Sequence, residues 1–264
     1  MQKETSKFSE STILEGMMSI RAVLAGNDDG INDRRITQIL YDTARETHIH
    51  KELGYLRAIA EARGFTVTGV SAETIQEQTL GTTHGGLIAC TTDRTLPSLS
   101  DAIASGRIRS DGFYTMIEGI EDPYNFGYAI RSLYACGCHG IIVPGRNWFS
   151  AAGVVARSSA GASERIPVYL TEHAMEAVDG FHSLGYSVVC AEEKTEHTLG
   201  LCPIVLPVLL IVGGEKRGLS AQVVKAADLR VKIAYARPFR ASLSAASATT
   251  MFAYEIARQN KIPE

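Results

Sequence analysis

Several signatures are missing from this chain, and each absence removes a class of function. No run of about 18 apolar residues occurs, so no membrane-spanning helix is expected. No two of the 24 glycines stand two residues apart, which excludes the Gly-x-Gly-x-x-Gly dinucleotide fingerprint. No Gly-Lys-Ser/Thr follows Gly213-Gly214, so a P-loop NTPase is unsupported, and the usual Rossmann-like methyltransferase glycine loop is also missing. The 5 cysteines (Cys90, Cys136, Cys138, Cys190 and Cys202) lack a disulfide-like layout, so a reducing, cytoplasmic home is expected. His48-x-His50 and Cys136-x-Cys138 have no second ligand pair at zinc spacing, and no metal is expected. The opening MQKETSKFSESTILEG has no apolar stretch of the kind a secretion signal needs. A marked charge excess is missing as well: 26 basic and 29 acidic residues leave a net charge of −3 and a pI of about 6.2. That weighs against a broad nucleic-acid footprint but leaves room for a local basic patch.

What is present is the composition of a folded chain, with 45% hydrophobic and 21% charged residues over a length of one large domain or two ordinary ones. Residues 1–10 read as a polar tail. Leu14 to Leu24 reads as a helix with Ile20, Val23 and Leu24 on one face, and 36–43 as a strand. Tyr55 to Ala62 reads as a helix closed by Gly64, with strands at 65–70 and 85–90. This alternation predicts a small α/β domain over residues 1–95, then a linker over 96–111. From 112 to 264 the alternation sharpens. Strands are expected at 113–120, 140–143, 166–170, 186–191, 205–212 and 229–234, and helices at 126–136, 150–158, 172–184, 219–226 and 244–259. The segment 205–212, VLPVLLIV, is apolar on both faces, as a central parallel strand covered by helices would be.

Sheets of this kind bind ligands at the carboxyl ends of their strands. Three such ends carry unusual residues. In DPYNFGYAIR (122–131), Asp122-Pro123 marks a turn, Asn125 sits where a helix N-cap would sit, and Arg131 lies early on the helix. An Arg there packs poorly, but its planar fork suits a phosphate or ribose; the alternative is a capped helix with a solvated Arg. In IVGGEKRGLS (211–220), Gly213, Gly214 and Gly218 permit close backbone approach around Glu215. In RPFRASLSAASAT (237–249), small and hydroxyl residues open the last helix. Glu192-Glu193-Lys194 follows a strand end, where it reads as a solvated loop or a border of the pocket. Trp148 reads as a half-buried anchor or a partner surface. The stripe Ala248, Phe252 and Ile256 reads as core or dimer interface.

These three segments, in order, resemble the motifs of the SPOUT superfamily of RNA methyltransferases, in its SpoU/TrmH class. DPYNFGYAIRSLYACG resembles the first motif, LLIVGGEKRGLS the second and VKIAYARPFRASLSAASATTMFAYEIARQ the third. Ser159-Ala160-Gly161-Ala162 matches a small-residue run between the first two. The resemblance covers about residues 112–260. LEGMMSIRAVLAG and THGGLIAC resemble, more loosely, the opening helix and closing strand of the family's N-terminal α/β/α RNA-binding domain of ribosomal-protein type.

The resemblance implies an α/β fold in two parts: a trefoil-knotted parallel-sheet SPOUT domain and the smaller N-terminal domain. It implies a homodimer and the cofactor S-adenosylmethionine, held largely by backbone near Gly213, Gly214, Gly218, Ile233, Leu243 and Ser244. The implied reaction is methyl transfer to a ribose 2′-OH of RNA, with ribosomal RNA favoured over transfer RNA by the N-terminal domain. Arg131 would position the phosphate and help activate the hydroxyl, Asn125 would orient that Arg or the ribose, Glu215 would organise the cofactor loop, and Ser242 would hydrogen-bond in the site. The chain departs from the pattern twice: Ser244 replaces the usual Asn, and Ile233-Ala234-Tyr235 replaces Ile-Pro-Met ahead of a longer loop. Arg237 and Arg240 in that loop read as RNA-phosphate contacts or solvated residues. Two other readings stay open, a knotted dimer that binds RNA or the ribosome without catalysis and a SPOUT enzyme that methylates a base.

Overall fold

The computed structural model describes residues 13–79, 81, 84–144, 151–239 and 241–262, so the polar tail, Trp148 and Arg240 lie outside the described residues. Along the chain the elements are β1 (Ile13–Glu15), α1 (Gly16–Asp28), β2 (Ile36–Asp42), α2 (His50–Arg63), β3 (Thr66–Val70), α3 (Ala72–Gln78) and β4 (Leu87–Thr91). Next come α4 (Leu99–Ala104), β5 (Phe113–Glu118), α5 (Pro123–Ala135), β6 (Gly140–Pro144), α6 (Ala152–Ser158) and α7 (Ala162–Arg165). The rest is β7 (Val168–Thr171), α8 (Ala174–Ser183), β8 (Ser187–Ala191), β9 (Val208–Gly213), α9 (Ala221–Ala226), β10 (Leu229–Val231) and α10 (Ala245–Asn260). The chain forms two compact units, one of residues 1–95 with 147–165, the other of 96–146 with 166–264.

The first unit holds a four-stranded sheet in the order β1-β4-β2-β3, in which only β2 and β3 run parallel. Ile20, Val23 and Leu24 of α1 and Leu53 and Leu56 of α2 supply its core, packed on Ile36, Ile39 and Leu87. Gly64 ends α2 in the left-handed conformation (φ 72°), as the C-cap glycine predicted, and Phe65 N donates to Ala60 O at 3.1 Å. The expected domain was continuous, whereas α6 and α7 belong to this unit. Apolar packing, with Ala156 of α6 in this unit's core, and buried charge both join them to it. Arg34 is buried, and an interior guanidinium needs a carboxylate. Glu164 of α7 supplies it at 3.2 Å, with both side chains 4% exposed. Arg157 of α6 pairs with Glu15 at 2.6 Å, and Arg94 Nη1 donates to Ser163 O at 2.6 Å.

The second unit is built on a six-stranded parallel sheet in the order β10-β8-β9-β5-β6-β7. The apolar segment 205–212 does become a central strand: Val208 to Val212 are buried between β8 and β5. Residues 96–111 are not a free linker. Ser98 caps α4 by accepting from Asp101 N at 3.0 Å, and Leu99 and Ala102 are buried in this unit's core. The turn-like residues that suggested a linker are the helix cap and its approach. β10 stops at Val231, short of the expected 234, because Lys232 N turns to His197 O at 2.9 Å.

Candidate active site

The first motif joins β5 to α5. The N-cap is Asp122, not Asn125: its carboxylate accepts from Tyr124 N at 3.3 Å and Asn125 N at 3.1 Å, with Pro123 in the first turn. An Asp cap followed by Pro fits both residues' preferences, since proline's missing N–H is unneeded there. Asn125 is thus placed inside the first turn with its side chain available. Its Nδ2 donates to Glu215 Oε1 at 2.8 Å.

The second motif follows β9. Gly214 N donates to Glu118 O at 2.6 Å, and a Cβ on Gly214 would overlap the Gly119 carbonyl. A Cβ on Gly213 would stand 2.5 Å from the carbonyl carbon of Gly218. Both positions therefore need glycine for space. The Glu118 side chain adds a second hold, accepting from Ser220 N at 3.2 Å, and Lys216 pairs with Glu121 across the same two loops at 2.6 Å.

The third motif opens α10. Ser244 is its N-cap, accepting from Ser247 N at 3.2 Å and sharing a 3.0 Å hydrogen bond with the Ser247 hydroxyl. Ala245 N donates to Glu215 Oε1 at 3.3 Å. One carboxylate, Glu215, therefore ties the three motifs together.

Beside this junction lies a cavity of about 530 Å³. Gly213, Gly214, Glu215, Gly218, Ile233, Ser242 and Leu243 all line it. Ser244, Asn125 and Arg131 do not: Asn125 meets Glu215, and Ser244 is occupied by its cap. Arg131 is exposed on α5. It lies six positions beyond Asn125 on the helix, about 9 Å along the axis and about 120° around it. Glu192, Glu193 and Lys194 do border the cavity, as do Tyr235 and Phe239, whose role the sequence did not suggest. Burial pushes the neighbouring Cys190 thiol up to about 11, so it packs rather than reacts.

The family model described as SpoU rRNA Methylase matches residues 112–254, more than half of the chain. The chain belongs to this family. YacO of Bacillus subtilis, named as a TrmH-family tRNA/rRNA methyltransferase, is 26% identical over 202 residues, 76% of this chain and 80% of that protein. A tRNA/rRNA methyltransferase by name from Mycolicibacterium smegmatis is 29% identical over 204 residues, and the match spans 77% of this chain and 65% of that protein. Among solved structures, the SpoU methyltransferase AviRb of Streptomyces viridochromogenes, in complex with AdoMet, superposes with a TM-score of 0.77 over 100% of both chains at 22% identity. A structure named RNA 2′-O ribose methyltransferase superposes at 0.73, covering 94% of this chain and 88% of that one at 22% identity. At that identity the likeness shows the fold, which is the SPOUT fold expected. By family the chain is a SpoU/TrmH-class RNA methyltransferase, and SpoU methyltransferases use S-adenosylmethionine.

The cavity suits that cofactor. Its size falls in the range of small-molecule sites. Val212, Leu219, Ile233, Leu243 and Phe252 give it an apolar wall, while Glu192, Glu215 and Ser242 add polar groups, the mixture that an adenosine-containing molecule requires. No helix among the described residues is long and apolar enough to cross a membrane, and none of their His, Cys, Asp and Glu residues form a group of three or more that could hold a metal.

Proposed function

We propose that this chain is an S-adenosylmethionine-dependent RNA ribose 2′-O-methyltransferase that acts on ribosomal RNA as a homodimer in the cytoplasm. The observation that carries the reading is the Asn125–Glu215–Ala245 junction beside the cavity. Bound S-adenosylmethionine supplies an electrophilic methyl group on a positively charged sulfur. The chain's task is to place a ribose hydroxyl in line with it and to ease removal of the proton, since the hydroxyl alone is a weak nucleophile. Asn125 has one Nδ2 hydrogen committed to Glu215, which fixes its amide and leaves Oδ1 to orient the hydroxyl. The Arg131 fork holds the target phosphate and draws charge off the developing alkoxide. Ser242 and Glu215 stay at the cavity edge as hydrogen-bonding partners.

Two observations support the dimer. Tyr124, Tyr128 and Arg131 share one exposed face of α5 at i, i+4, i+7 spacing, and α10, packed on α5, exposes Met251 and Tyr254. A second copy covering that apolar face would bring each Arg131 to its partner's cavity. The trefoil knot belongs to this reading too: after β10 at the sheet edge the chain passes the 197–199 segment and returns as α10 to pack on α5. The first unit is proposed as the RNA-recognition part. All described cysteines are free thiols, which fits a reducing compartment.

The Ser244 substitution does not favour the non-catalytic reading, because Ser caps a helix as well as Asn does. The test is methyl transfer from labelled S-adenosylmethionine to ribosomal and transfer RNA, followed by digestion to nucleosides. A 2′-O-methyl nucleoside from ribosomal RNA is expected, with at least about a hundredfold loss in Arg131→Ala. A base-methylated nucleoside, no transfer, or full activity in Arg131→Ala would overturn the assignment.

A further inference from the structure

Tyr235 and Phe239 stand at the cavity mouth, in the loop where this chain departs from the family pattern. Tyr235 Oη accepts from Leu243 N at 3.2 Å, which ties its ring to the cavity wall. Phe239 meets that ring edge-on, with centroids 5.8 Å apart and planes at 70°. Tyr235 is 38% exposed and Phe239 58% exposed. Two ordered aromatic rings left in water beside a cavity gain by being covered. Lys194 and Lys232 line the same cavity together with Glu192, Glu193 and Glu215, and Arg237 lies exposed between the rings in sequence.

An exposed aromatic pair at a cavity matches the chemistry of an unpaired nucleotide, whose base stacks on the rings while the exposed Arg237 between them in sequence offers a cation to its phosphate. We infer that the Tyr235–Phe239 pair is a stacking platform for an unpaired nucleobase of the substrate RNA, next to the ribose presented to the cavity. This rests on the reading of the chain as an RNA methyltransferase. The adenine of S-adenosylmethionine is the competing occupant of the rings.

The test compares Phe239→Ala, Phe239→Leu and Phe239→Trp in the 264-residue chain. The probe is a short fluorescein-labelled single-stranded RNA of mixed sequence, followed by anisotropy with S-adenosylhomocysteine present; calorimetry gives the affinity for S-adenosylmethionine. Ala and Leu are expected to weaken RNA binding about five- to a hundredfold, the range of one lost base stack, while Trp stays within about threefold of the original. Cofactor affinity is expected to stay within about threefold throughout. No RNA binding by the unaltered chain, unchanged binding in Phe239→Ala, or full rescue by Leu would overturn the platform. A loss confined to S-adenosylmethionine would assign the rings to the cofactor instead. RNA binding that responds as expected without any methyl transfer would leave the platform standing and sink the enzymatic reading. Methyl transfer with insensitive binding would do the reverse.

Discussion

Replacing Gly214 by Ala tests the central claim that two loops meet backbone to backbone at the cavity. The added Cβ would overlap the Gly119 carbonyl oxygen and carbon and reach 3.0 Å from Ile120 N. No flexible side chain can yield there, so the loops must part by about 1.5 Å to restore ordinary contact. Overpacking of this kind costs about 1–3 kcal/mol. The 2.6 Å bond from Gly214 N to Glu118 O stretches with it, which adds about 0.5–1.5 kcal/mol. The total is about 1.5–4.5 kcal/mol. Charged to the fold, that lowers Tm by about 3–18 °C at about 2–4 °C per kcal/mol. Charged to the cavity, it weakens S-adenosylmethionine binding by about 10- to 2,000-fold. Thermal unfolding and calorimetry on the same sample divide the cost between the two. A Gly214→Ala chain with unchanged Tm and unchanged cofactor affinity would refute the close-approach argument.

Ser244→Asn should leave stability within about 0.5 kcal/mol, whereas Ser244→Ala should lose about 1 kcal/mol, because both Ser and Asn can accept from Ser247 N and Ala cannot; denaturant unfolding decides. Glu255 accepts from Arg258 at 2.7 and 2.8 Å and from Gln259 at 2.7 Å, and these bonds hold its carboxyl down at about 2. A carboxyl whose pKa is lowered on folding stabilises above its unfolded value and loses that effect as pH falls. The stability gap between the original chain and Glu255→Gln should therefore narrow as pH drops from about 4.5 towards 2, and a gap independent of pH would contradict this.

Periodicity and punctuation made most of the second unit legible. Val208–Val212 could only be a covered strand, and Gly64 could only be a left-handed cap. The helix α5 starts at Pro123, three residues before the expected 126, because Asp-Pro is both a turn signal and a cap followed by its first helical residue. Short elements such as α3 and α4 escaped because seven or six residues cannot show a helical period. The grouping of α6 and α7 with the first unit involves contacts such as Arg34 with Glu164, 130 residues apart, and Ala156 with the unit's core, which no local window contains. In the site, glycines and Glu215 announced themselves by following an apolar strand. The aromatic pair did not, since Tyr235 and Phe239 sit in a loop without period, and only their departure from the family pattern marked them.

The buried Arg34–Glu164 pair also bears on synthesis. A ribosome that has made residue 95 has delivered the whole four-stranded sheet, yet not the carboxylate that Arg34 requires. Glu164 comes about 70 residues later, a wait of about 4–14 s at typical elongation rates. The first unit cannot complete its interior until β5, α5 and β6 of the other have been translated. The amino-terminal unit is therefore begun first, yet it is completed only after a large part of the other has been made.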